Sequence, residues 1–321
     1  MAVARLELEP LQRVSRRHPC PVCGRGDWCG YNSMVTVCMR VPSPYPARNG
    51  GWVHRNESGI RVGVSEEPVP AAEPAPVAVR DRVYRDLLGL LSLDKQHRDD
   101  LVRRGLKEKE IREMYRSVPP EPWVVARELR RMGHDLSGIP GFYRKQGRWG
   151  WYWTFSGKPG YFIPVRDVRG RIQALQVRVD ESRSGGKYRM FSSSGRPGGS
   201  CSGTPAHVAR PSVMKDRRIW VTEGTLKANL AAHFLGAVVV GAVGATCWKP
   251  VLPVLEDLGT EKVVLAFDRD QETNPAVARA VSELEKEIRK EGLRVLKAFW
   301  PREYKGIDDA LAAGVNIRVY E

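Results

Sequence analysis

The 321 residues carry 52 Lys and Arg against 37 Asp and Glu, which gives a formal net charge of +15. This length allows two or three domains that each bury a core, and no apolar run is long enough to span a membrane. The first residues lack the apolar segment of a signal peptide, so we expect a cytoplasmic protein whose six cysteines stay reduced. The excess of basic residues is typical of proteins that neutralise phosphates.

Four of the six cysteines crowd together in the first predicted domain, residues 1–60. They are Cys20, Cys23, Cys29 and Cys38. Thiolates bind Zn²⁺ tetrahedrally, and the glycine in "CPVCG" lets backbone amides face the sulfurs. We expect a zinc-ribbon-like module with a structural Zn²⁺, because a segment with so few apolar side chains could hardly fold without metal. Two alternatives stay open, either His18 as a ligand in place of Cys29 or unliganded thiols in a small disordered arm.

Residues 61–80 are predicted to form a linker. The stretch is rich in Pro, Ala and Glu, cannot build a core and should be semi-extended. Residues 81–118 then carry apolar side chains at helical spacing, among them Leu87, Leu91 and Leu101. We expect a small helical bundle there, and the pattern assigns no chemistry to it.

The next segment, residues 119–215, is predicted to be a basic mixed α+β subdomain. Residues 160–218 contain twelve Lys and Arg against four Asp and Glu, and their apolar residues alternate as in antiparallel strands. Upstream, aromatic residues such as Trp123, Trp151 and Tyr152 interleave with basic ones, as in grooves that bind single strands. The alternative is a solvated basic face with the aromatic residues in the core.

Carboxylates end two apolar strands in the fourth segment, residues 216–302. Glu223 ends the strand in "RIWVTEG", Asp268 and Asp270 end the one in "KVVLAFDRD", and a helical pattern follows each. The order strand, helix, strand, turn, strand, helix, strand predicts an α/β domain with a mostly parallel sheet. Ligands bind outside the carboxyl ends of such strands, and clustered carboxylates suit Mg²⁺ that also holds substrate phosphates. The alternative is that each acidic residue marks only the exit of a strand into solvent.

The paired acidic motifs resemble the TOPRIM domain that DnaG-type bacterial primases share with type IA and II topoisomerases, RecR-type mediators and some nucleases. The segment before them is similar to the amino-terminal part of the DnaG polymerase core, where a strand pair is followed by a K-Y motif. The matching residues here are Arg178, Lys187 and Tyr188. The resemblance implies that they bind incoming nucleotide or template, the two cations through phosphates and the ring through a base. The order of zinc finger, basic core and TOPRIM domain looks closest to short primase-like proteins of phages, plasmids and other mobile elements.

The sequence departs from the primase pattern in its acidic residues. Primases usually have an Asp three residues after the glycine of the E-G motif, but Lys227 stands there. Its ammonium could contact a nucleotide phosphate or lower the metal affinity of Glu223. The later carboxylates of the family have only "KGIDDAL" as a counterpart, in a predicted C-terminal tail of residues 303–321. Asp308 or Asp309 could therefore complete the metal site.

The resemblance implies a DNA primase that joins ribonucleotides on single-stranded DNA, with Glu223, Asp268 and Asp270 holding Mg²⁺ or Mn²⁺. Its expected partners are the template strand and nucleoside triphosphates. A separate replicative helicase is also expected, because the sequence contains no P-loop motif and so is not itself a helicase. No membrane partner is expected. Two other functions stay open: a TOPRIM nuclease that uses the same carboxylates to activate water, and a non-catalytic zinc-finger DNA-binding factor.

Overall fold

The computed structural model describes residues 11–32, 35–47, 51–55, 72–147, 150–181 and 186–321, without the side chains of Arg55, Asp270 and Gln271. Within "ESRSGG", residues 182–185 lie outside the described residues, as does most of the predicted linker. The chain divides into two compact units, Met1–Glu67 (the N-terminal unit) and Pro68–Glu321 (the C-terminal unit). Within the described residues, no helix combines the length and the apolar character needed to cross a membrane.

The N-terminal unit contains a small antiparallel sheet. Its strands, paired in chain order, are β1 (Gln12–Arg13), β2 (Gly30–Tyr31), β3 (Val35–Cys38) and β4 (Trp52–Arg55). The buried hydrophobic cluster of the unit consists of three cysteines and Val14, with few apolar neighbours. Because thiols form most of this core, apolar burial by itself can contribute little stability here.

The C-terminal unit begins with three helices. They are α1 (Val77–Gly89), α2 (Lys95–Arg103) and α3 (Glu108–Met114). Helix α1 starts inside the stretch predicted to be a linker, and the amide of Ala75 donates to the carbonyl of Gly138 at 2.8 Å. The helices do not form a bundle of their own. Leu87 packs in a cluster with Phe162, whereas Leu101 packs in another cluster with Leu226, because each helix covers a different part of the sheets that follow.

The basic subdomain is built on a four-stranded antiparallel sheet, as the alternating pattern predicts. Its elements are β5 (Arg116–Ser117), α4 (Pro122–Arg131), β6 (Tyr143–Gly147), β7 (Gly150–Thr154), β8 (Gly160–Arg166), β9 (Ile172–Val179) and β10 (Tyr188–Met190). The sheet order is β10-β9-β8-β5, and β6 and β7 form a separate hairpin. Side chains alternate across β8: Phe162 packs with α1 and α4, and Tyr161 packs with α2 and α3 on the opposite face.

A six-stranded, mostly parallel sheet completes the C-terminal unit, as expected. Its elements are β11 (His207–Ala209), β12 (Asp216–Glu223), α5 (Thr225–Leu235), β13 (Ala237–Ala242), α6 (Val251–Asp257), β14 (Lys262–Leu265), α7 (Asp270–Thr273), α8 (Pro275–Lys290), β15 (Arg294–Phe299), α9 (Ile307–Ala312) and β16 (Arg318–Tyr320). The strand order is β11-β13-β12-β14-β15-β16, in which the three inner pairings are parallel and the edge strands β11 and β16 are antiparallel.

Helices cover both faces of this sheet. Val238 and Val240 of β13 pack in one cluster with α6 and α8, and Val239 packs in another with α5 and α9. Two details differ from the sequence-based expectation. Helix α6 replaces the predicted turn between β13 and β14, and the predicted tail contributes α9 and the edge strand β16. Both belong to the packed domain because their apolar side chains complete its two cores.

Candidate functional site

The central acidic residues lie at one edge of the parallel sheet. Glu223 is the last residue of β12, and Asp268 follows β14, the neighbouring parallel strand. Asp308 lies in the first turn of α9. Because the carboxyl ends of parallel strands meet at the same edge, the fold brings together side chains that are far apart in sequence. Asp268 is only 5% exposed, so its carboxylate is nearly removed from water.

Lys227 lies among these carboxylates. Its Nζ donates a short hydrogen bond to Asp268 Oδ1 and lies 3.8 Å from Glu223 Oε1. Burial by itself would lower the pKa of Lys227, but the carboxylates, chiefly Asp268 and Asp308, outweigh burial and raise that pKa. Burial raises the pKa of Asp308, and the nearby ammonium of Lys227 offsets only part of this effect. Lys227 therefore remains charged and supplies an internal cation to the acidic cluster.

Gly306 shows how closely these groups converge. A methyl group added at its Cα would lie 2.5 Å from Asp308 Oδ1, 3.0 Å from Asp268 Oδ1 and 3.2 Å from Lys227 Nζ. These distances are shorter than van der Waals contact, so a side chain at this position would displace the polar groups of Asp308, Asp268 and Lys227. The backbone at Gly306 thus approaches the polar atoms of the site directly.

A cavity of about 270 Å³ opens at this cluster and is called the carboxylate cavity below. Besides Glu223, Lys227, Asp268 and Asp308, it is lined by Gln176 and Tyr188 from the antiparallel sheet. Gln176 is 1% exposed, and its Oε1 has no hydrogen-bond partner among the described residues. An unpaired buried amide oxygen costs free energy, which suits a position that binds a ligand. Sequence analysis missed Gln176, although a glutamine between Leu175 and Val177 in an apolar strand was a usable signal.

The remaining site residues that the sequence predicts lie in different surroundings, and not all of them reach the carboxylate cavity. Arg178 pairs with Asp100 at 3.2 Å and lies over the ring of Tyr161, so its guanidinium is engaged within the protein. Lys187 is exposed next to Tyr188, which pairs with Arg178 across β9 and β10. Asp309 is exposed beside Asp308, and the side chain of Asp270 lies outside the described residues.

The side chains of the carboxylate cavity fit a hard divalent cation. Carboxylate oxygens are the ligands that Mg²⁺ and Mn²⁺ prefer, and three of them on rigid elements face one opening. With Glu223, Asp268 and Asp308 ionised, the ammonium of Lys227 leaves two negative charges in excess. That excess matches one divalent ion. The position of Lys227 Nζ between Glu223 and Asp268 also means that an ion there would share these ligands with the ammonium.

The N-terminal unit brings its four predicted ligands together. The sulfurs of Cys20, Cys23, Cys29 and Cys38 lie within 4.8 Å of one another and are called the cysteine cluster below. Cys23 Sγ and Cys29 Sγ are 3.8 Å apart, and tetrahedral Zn–S bonds of about 2.3 Å would place neighbouring sulfurs at roughly this distance. Among the described residues, His18 is not part of the cluster.

Backbone amides already face these sulfurs. The amide of Met39 donates to Cys29 Sγ at 3.4 Å, and that of Val41 donates to Cys38 Sγ at 3.3 Å. A backbone hydrogen bond from Arg25 lowers the pKa of Cys23 to about 6, whereas burial raises the pKa of Cys29 to about 12. The cluster fits a structural Zn²⁺, whose charge would hold all four thiols deprotonated.

Comparison with solved structures identifies the fold. The chain matches the zinc-binding and RNA polymerase domains of the Aquifex aeolicus primase with a TM-score of 0.55 and 16% sequence identity, over 75% of this chain and 61% of that one. It matches the RNA polymerase domain of Mycobacterium tuberculosis primase DnaG, in complex with a double-stranded DNA oligomer with a 6-nucleotide overhang, at a TM-score of 0.54 and 14% identity, over 75% and 80%. A DNA primase domain from Pseudomonas aeruginosa gives a TM-score of 0.51 and 18% identity, over 74% and 73%. The chain thus has the fold of DnaG-type primase catalytic cores, and it spans less than two thirds of the Aquifex chain.

The sequence comparisons are narrower. A family model described as a domain of unknown function, DUF3854, matches residues 212–317. No curated protein matches the chain. The matched range contains Glu223, Lys227, Asp268 and Asp308, so these four residues of the carboxylate cavity belong to one sequence-defined domain.

Proposed function

We propose that the chain is a primase-like nucleotidyltransferase that joins ribonucleotides into short RNA primers on a single-stranded DNA template. The carboxylate cavity is the observation that carries this proposal, because acidic side chains converge on one opening in a chain with the fold of primase cores. The net charge of +15 supports a nucleic-acid partner. A separate replicative helicase remains a proposed partner.

Glu223, Asp268 and Asp308, with Asp270 after the same strand as Asp268, would hold Mg²⁺ or Mn²⁺, and Asp309 is a further proposed ligand. A bound divalent ion would neutralise the triphosphate and the charge that develops during transfer. In the reaction, the 3′-hydroxyl oxygen of the primer forms a bond to the α-phosphorus of the nucleotide. The bond from that phosphorus to the β-phosphate oxygen breaks, pyrophosphate leaves, and the hydroxyl proton passes to solvent.

The side chains around the cavity would bind and orient the reactants. Lys227 would offer its ammonium to a phosphate oxygen, and exposed Lys187 would add a second point charge at the rim. The ring of Tyr188, which is partly exposed at the cavity, would stack on a base. Arg178 would act indirectly, because its bond to Asp100 fixes the strand that carries Gln176 rather than reaching into the opening.

Primer synthesis on mixed-sequence single-stranded DNA tests the proposal. Labelled NTPs or dNTPs would be supplied with Mg²⁺ or Mn²⁺ to wild type and to Asp268→Ala/Asp270→Ala. We expect metal-dependent oligonucleotides from the wild type and a loss of at least 100-fold in the double variant, since the site that neutralises the triphosphate is removed. The matched control is Asp257→Ala, an exposed carboxylate at the end of α6. It should leave synthesis unchanged.

The same assay separates the alternatives. Shortening of the template with the same metal and carboxylate dependence would replace the proposal by a nuclease. Tight DNA binding without a new or shortened strand in either protein would replace it by a non-catalytic DNA-binding factor. One observation favours the DNA-binding factor over the nuclease. Lys227 already occupies the space between Glu223 and Asp268, where a metal would bind.

A further inference from the structure

A second cavity, of about 250 Å³, lies where the antiparallel and the parallel sheets of the C-terminal unit meet. The amide of Arg166, at the end of β8, donates there to His207 Nδ1 in β11 at 2.9 Å. Helices α3 and α5 complete the walls. The lining residues used below are Glu110, Glu113, Arg166, Arg210 and His233, and this region is called the junction cavity. It shares no described lining residue with the carboxylate cavity.

Two arginines of the junction cavity are held in place by one turn. Arg166 Nη1 donates to the carbonyl of Gly170 at 3.1 Å, and Arg210 Nη2 donates to the carbonyl of Val168 at 2.8 Å. Both carbonyls belong to the turn between β8 and β9, so this turn brings the two side chains to the same wall. A guanidinium has five N–H donors. Within the described residues these bonds use one donor of each group, so most donors remain for a ligand.

The positive charge on this wall is not balanced by a carboxylate. No acidic residue in the described part of the chain forms an ion pair with Arg166 or Arg210. Asp81, whose charge acts on Arg166, pairs instead with Arg85 at 2.9 Å. Burial lowers the pKa of Arg166, as does the cation of Arg85, and Asp81 offsets only part of this effect. A partly buried guanidinium without a paired carboxylate is costly, and a bound anion would remove that cost.

The glutamates of the junction cavity come from helix α3 and not from the wall that carries the arginines. Glu110 Oε1 lies 2.9 Å from His233 Nδ1, and its Oε2 accepts from the amide of Lys107 at 3.2 Å. Both oxygens of Glu110 are therefore engaged within the protein. Glu113 is exposed, so solvent screens its repulsion of an anion. Neither glutamate neutralises the arginine wall.

The volume and the charge of the junction cavity suit a small phosphate anion. Its volume is below the roughly 300–1,000 Å³ of sites for drug-sized ligands, which leaves room for an anion of few atoms rather than for a whole nucleotide. Two guanidinium groups match the charge of a phosphate or pyrophosphate better than that of one carboxylate. Guanidinium groups also bind phosphate oxygens in pairs, through two parallel N–H donors.

We infer that the junction cavity binds a small phosphate anion, such as inorganic phosphate or pyrophosphate, between Arg166 and Arg210. Arg166 ends β8 of the antiparallel sheet and Arg210 follows β11 of the parallel sheet, so the anion links the two sheets. The same sheets line the carboxylate cavity, and α5 extends from Lys227 in that cavity to His233 in this one. An anion here thus stabilises the carboxylate cavity from outside. This goes beyond the proposed primer synthesis, whose reactants bind at the carboxylates.

Calorimetric titration of the full chain with pyrophosphate, without added Mg²⁺ or Mn²⁺, tests the site. Arg210→Gln should weaken binding by at least about tenfold, the value of one charge-assisted hydrogen bond. Because Arg210 is exposed, this variant should fold. The matched control is Arg318→Gln, an exposed arginine in the strand at the opposite edge of the parallel sheet, which should bind like wild type. Equal affinity of wild type and Arg210→Gln would exclude the site.

The carboxylate variant separates this inference from the proposed function. Asp268→Ala/Asp270→Ala, which should abolish primer synthesis, should retain pyrophosphate binding that depends on Arg210. Loss of that binding would place the anion in the carboxylate cavity and overturn the inference. A wild type that makes no primers but binds pyrophosphate through Arg210 would contradict the proposed function alone.

Labelling of arginines with phenylglyoxal, mapped by mass spectrometry, reads out the site locally. Arg210 is exposed and should be labelled in the free protein. Pyrophosphate at roughly ten times its Kd should slow this labelling about tenfold, since the bound anion covers the guanidinium. Arg318 should be labelled equally with and without the anion. Unchanged labelling of Arg210 at that concentration would overturn the inference.

Competing anions at constant ionic strength test the ligand class. Inorganic phosphate should displace pyrophosphate, whereas succinate and ATP should protect Arg210 less than pyrophosphate does. Stronger protection by succinate would show a carboxylate site and stronger protection by ATP a nucleotide site, and either result would overturn the inference. Glu113→Gln removes an exposed negative charge from the lining and should strengthen pyrophosphate binding about twofold, as expected for a charge that solvent screens.

Discussion

The cysteine cluster takes its four ligands from residues 20–38, whereas the carboxylate cavity takes its acidic residues from positions as distant as 223 and 308. The two also differ in their surroundings. The cysteines are themselves most of the buried hydrophobic cluster of the N-terminal unit. The carboxylates lie at the edge of a sheet that is already covered on both faces by apolar clusters.

The two sites differ equally in how their negative charge is balanced. In the cysteine cluster, Arg40 approaches Cys29 Sγ from outside at 3.8 Å and also pairs with Asp27. In the carboxylate cavity, Lys227 places its ammonium between Glu223 and Asp268. A metal ion held by the cysteine cluster would therefore contribute to the folding of the N-terminal unit. In the C-terminal unit, the ammonium of Lys227 already balances part of the carboxylate charge. A metal ion there would therefore bind to a unit that is already folded.

Removal of zinc should therefore have the largest effect, and it should be confined to one unit. Cys38→Ser or a strong chelator should unfold the N-terminal unit of the full chain, because a structural Zn²⁺ contributes on the order of 10 kcal/mol to such a small domain. Hydrogen exchange measured by mass spectrometry checks this. Amides of Val35–Cys38 should exchange at unfolded rates, whereas those of Lys262–Leu265 should stay protected.

Cys201→Ser is the matched control, since this exposed cysteine is outside the cluster. It should leave exchange unchanged in both units. Persistent protection of Val35–Cys38 in the chelator would show that the N-terminal unit folds without metal, and the contrast between the two sites would disappear.

Loss of the internal cation should have the next largest effect. Lys227→Met keeps a side chain of similar length but leaves Asp268 buried without its partner. In EDTA, the free energy of unfolding of the C-terminal unit should fall by about 3 kcal/mol, as expected when one partner of a buried pair is removed. Added Mg²⁺ or Mn²⁺ should raise the free energy of unfolding more in Lys227→Met than in the wild type, because the carboxylates of the variant carry a larger excess of negative charge.

Urea denaturation with EDTA and with each metal measures both effects. Lys262→Met, at an exposed position at the start of β14, is the control for loss of a lysine. Equal stabilisation of wild type and Lys227→Met by metal would show that the ammonium does not compete for the metal position. The carboxylate cavity would then resemble the cysteine cluster, in that no internal cation would compete with the metal.

Local sequence patterns predicted the parts of the fold that depend on neighbours in the chain. The alternation of strands and helices predicted the mostly parallel sheet, in which Glu223 ends β12 and Asp268 follows the neighbouring strand β14. Asn274 caps α8, since its side chain accepts from the amide of Ala276. Caps, strand ends and helical periods are encoded within a few residues, so one sequence suffices to identify them.

Features that depend on tertiary pairing were not accessible in this way. Helix α6 carries Pro253 within its short length and was interpreted as part of a turn. Helix α9 and strand β16 are too short to show a period, and they are held by the clusters that they complete. Separate elements pack together to form the bond between Arg178 and Asp100 and to leave the Gln176 oxygen without a partner in the part of the chain that the structure describes. No local pattern specifies either of them.

The smallest expected effect is a difference in the free energy of unfolding between variants of two glutamines in β9. Gln173 donates from Nε2 to the carbonyl of Ala206 at 2.9 Å, whereas Gln176 Oε1 lacks a partner among the described residues. Gln173→Leu should lower the free energy of unfolding by about 1 kcal/mol, since it leaves a carbonyl unpaired. Gln176→Leu should leave stability unchanged or raise it by roughly 1 kcal/mol, because it removes an unpaired polar atom from a buried position.

Binding should show the opposite order. If the carboxylate cavity holds a nucleotide, Gln176→Leu should weaken nucleoside triphosphate binding by about tenfold, the value of one hydrogen bond to a ligand, and Gln173→Leu should not. Urea denaturation and calorimetric titration with a nonhydrolysable triphosphate measure the two quantities on the same proteins. Equal loss of stability in both variants would mean that Gln176 has a structural partner. In that case the carboxylate cavity, like the cysteine cluster, would contain polar groups for folding rather than for a ligand.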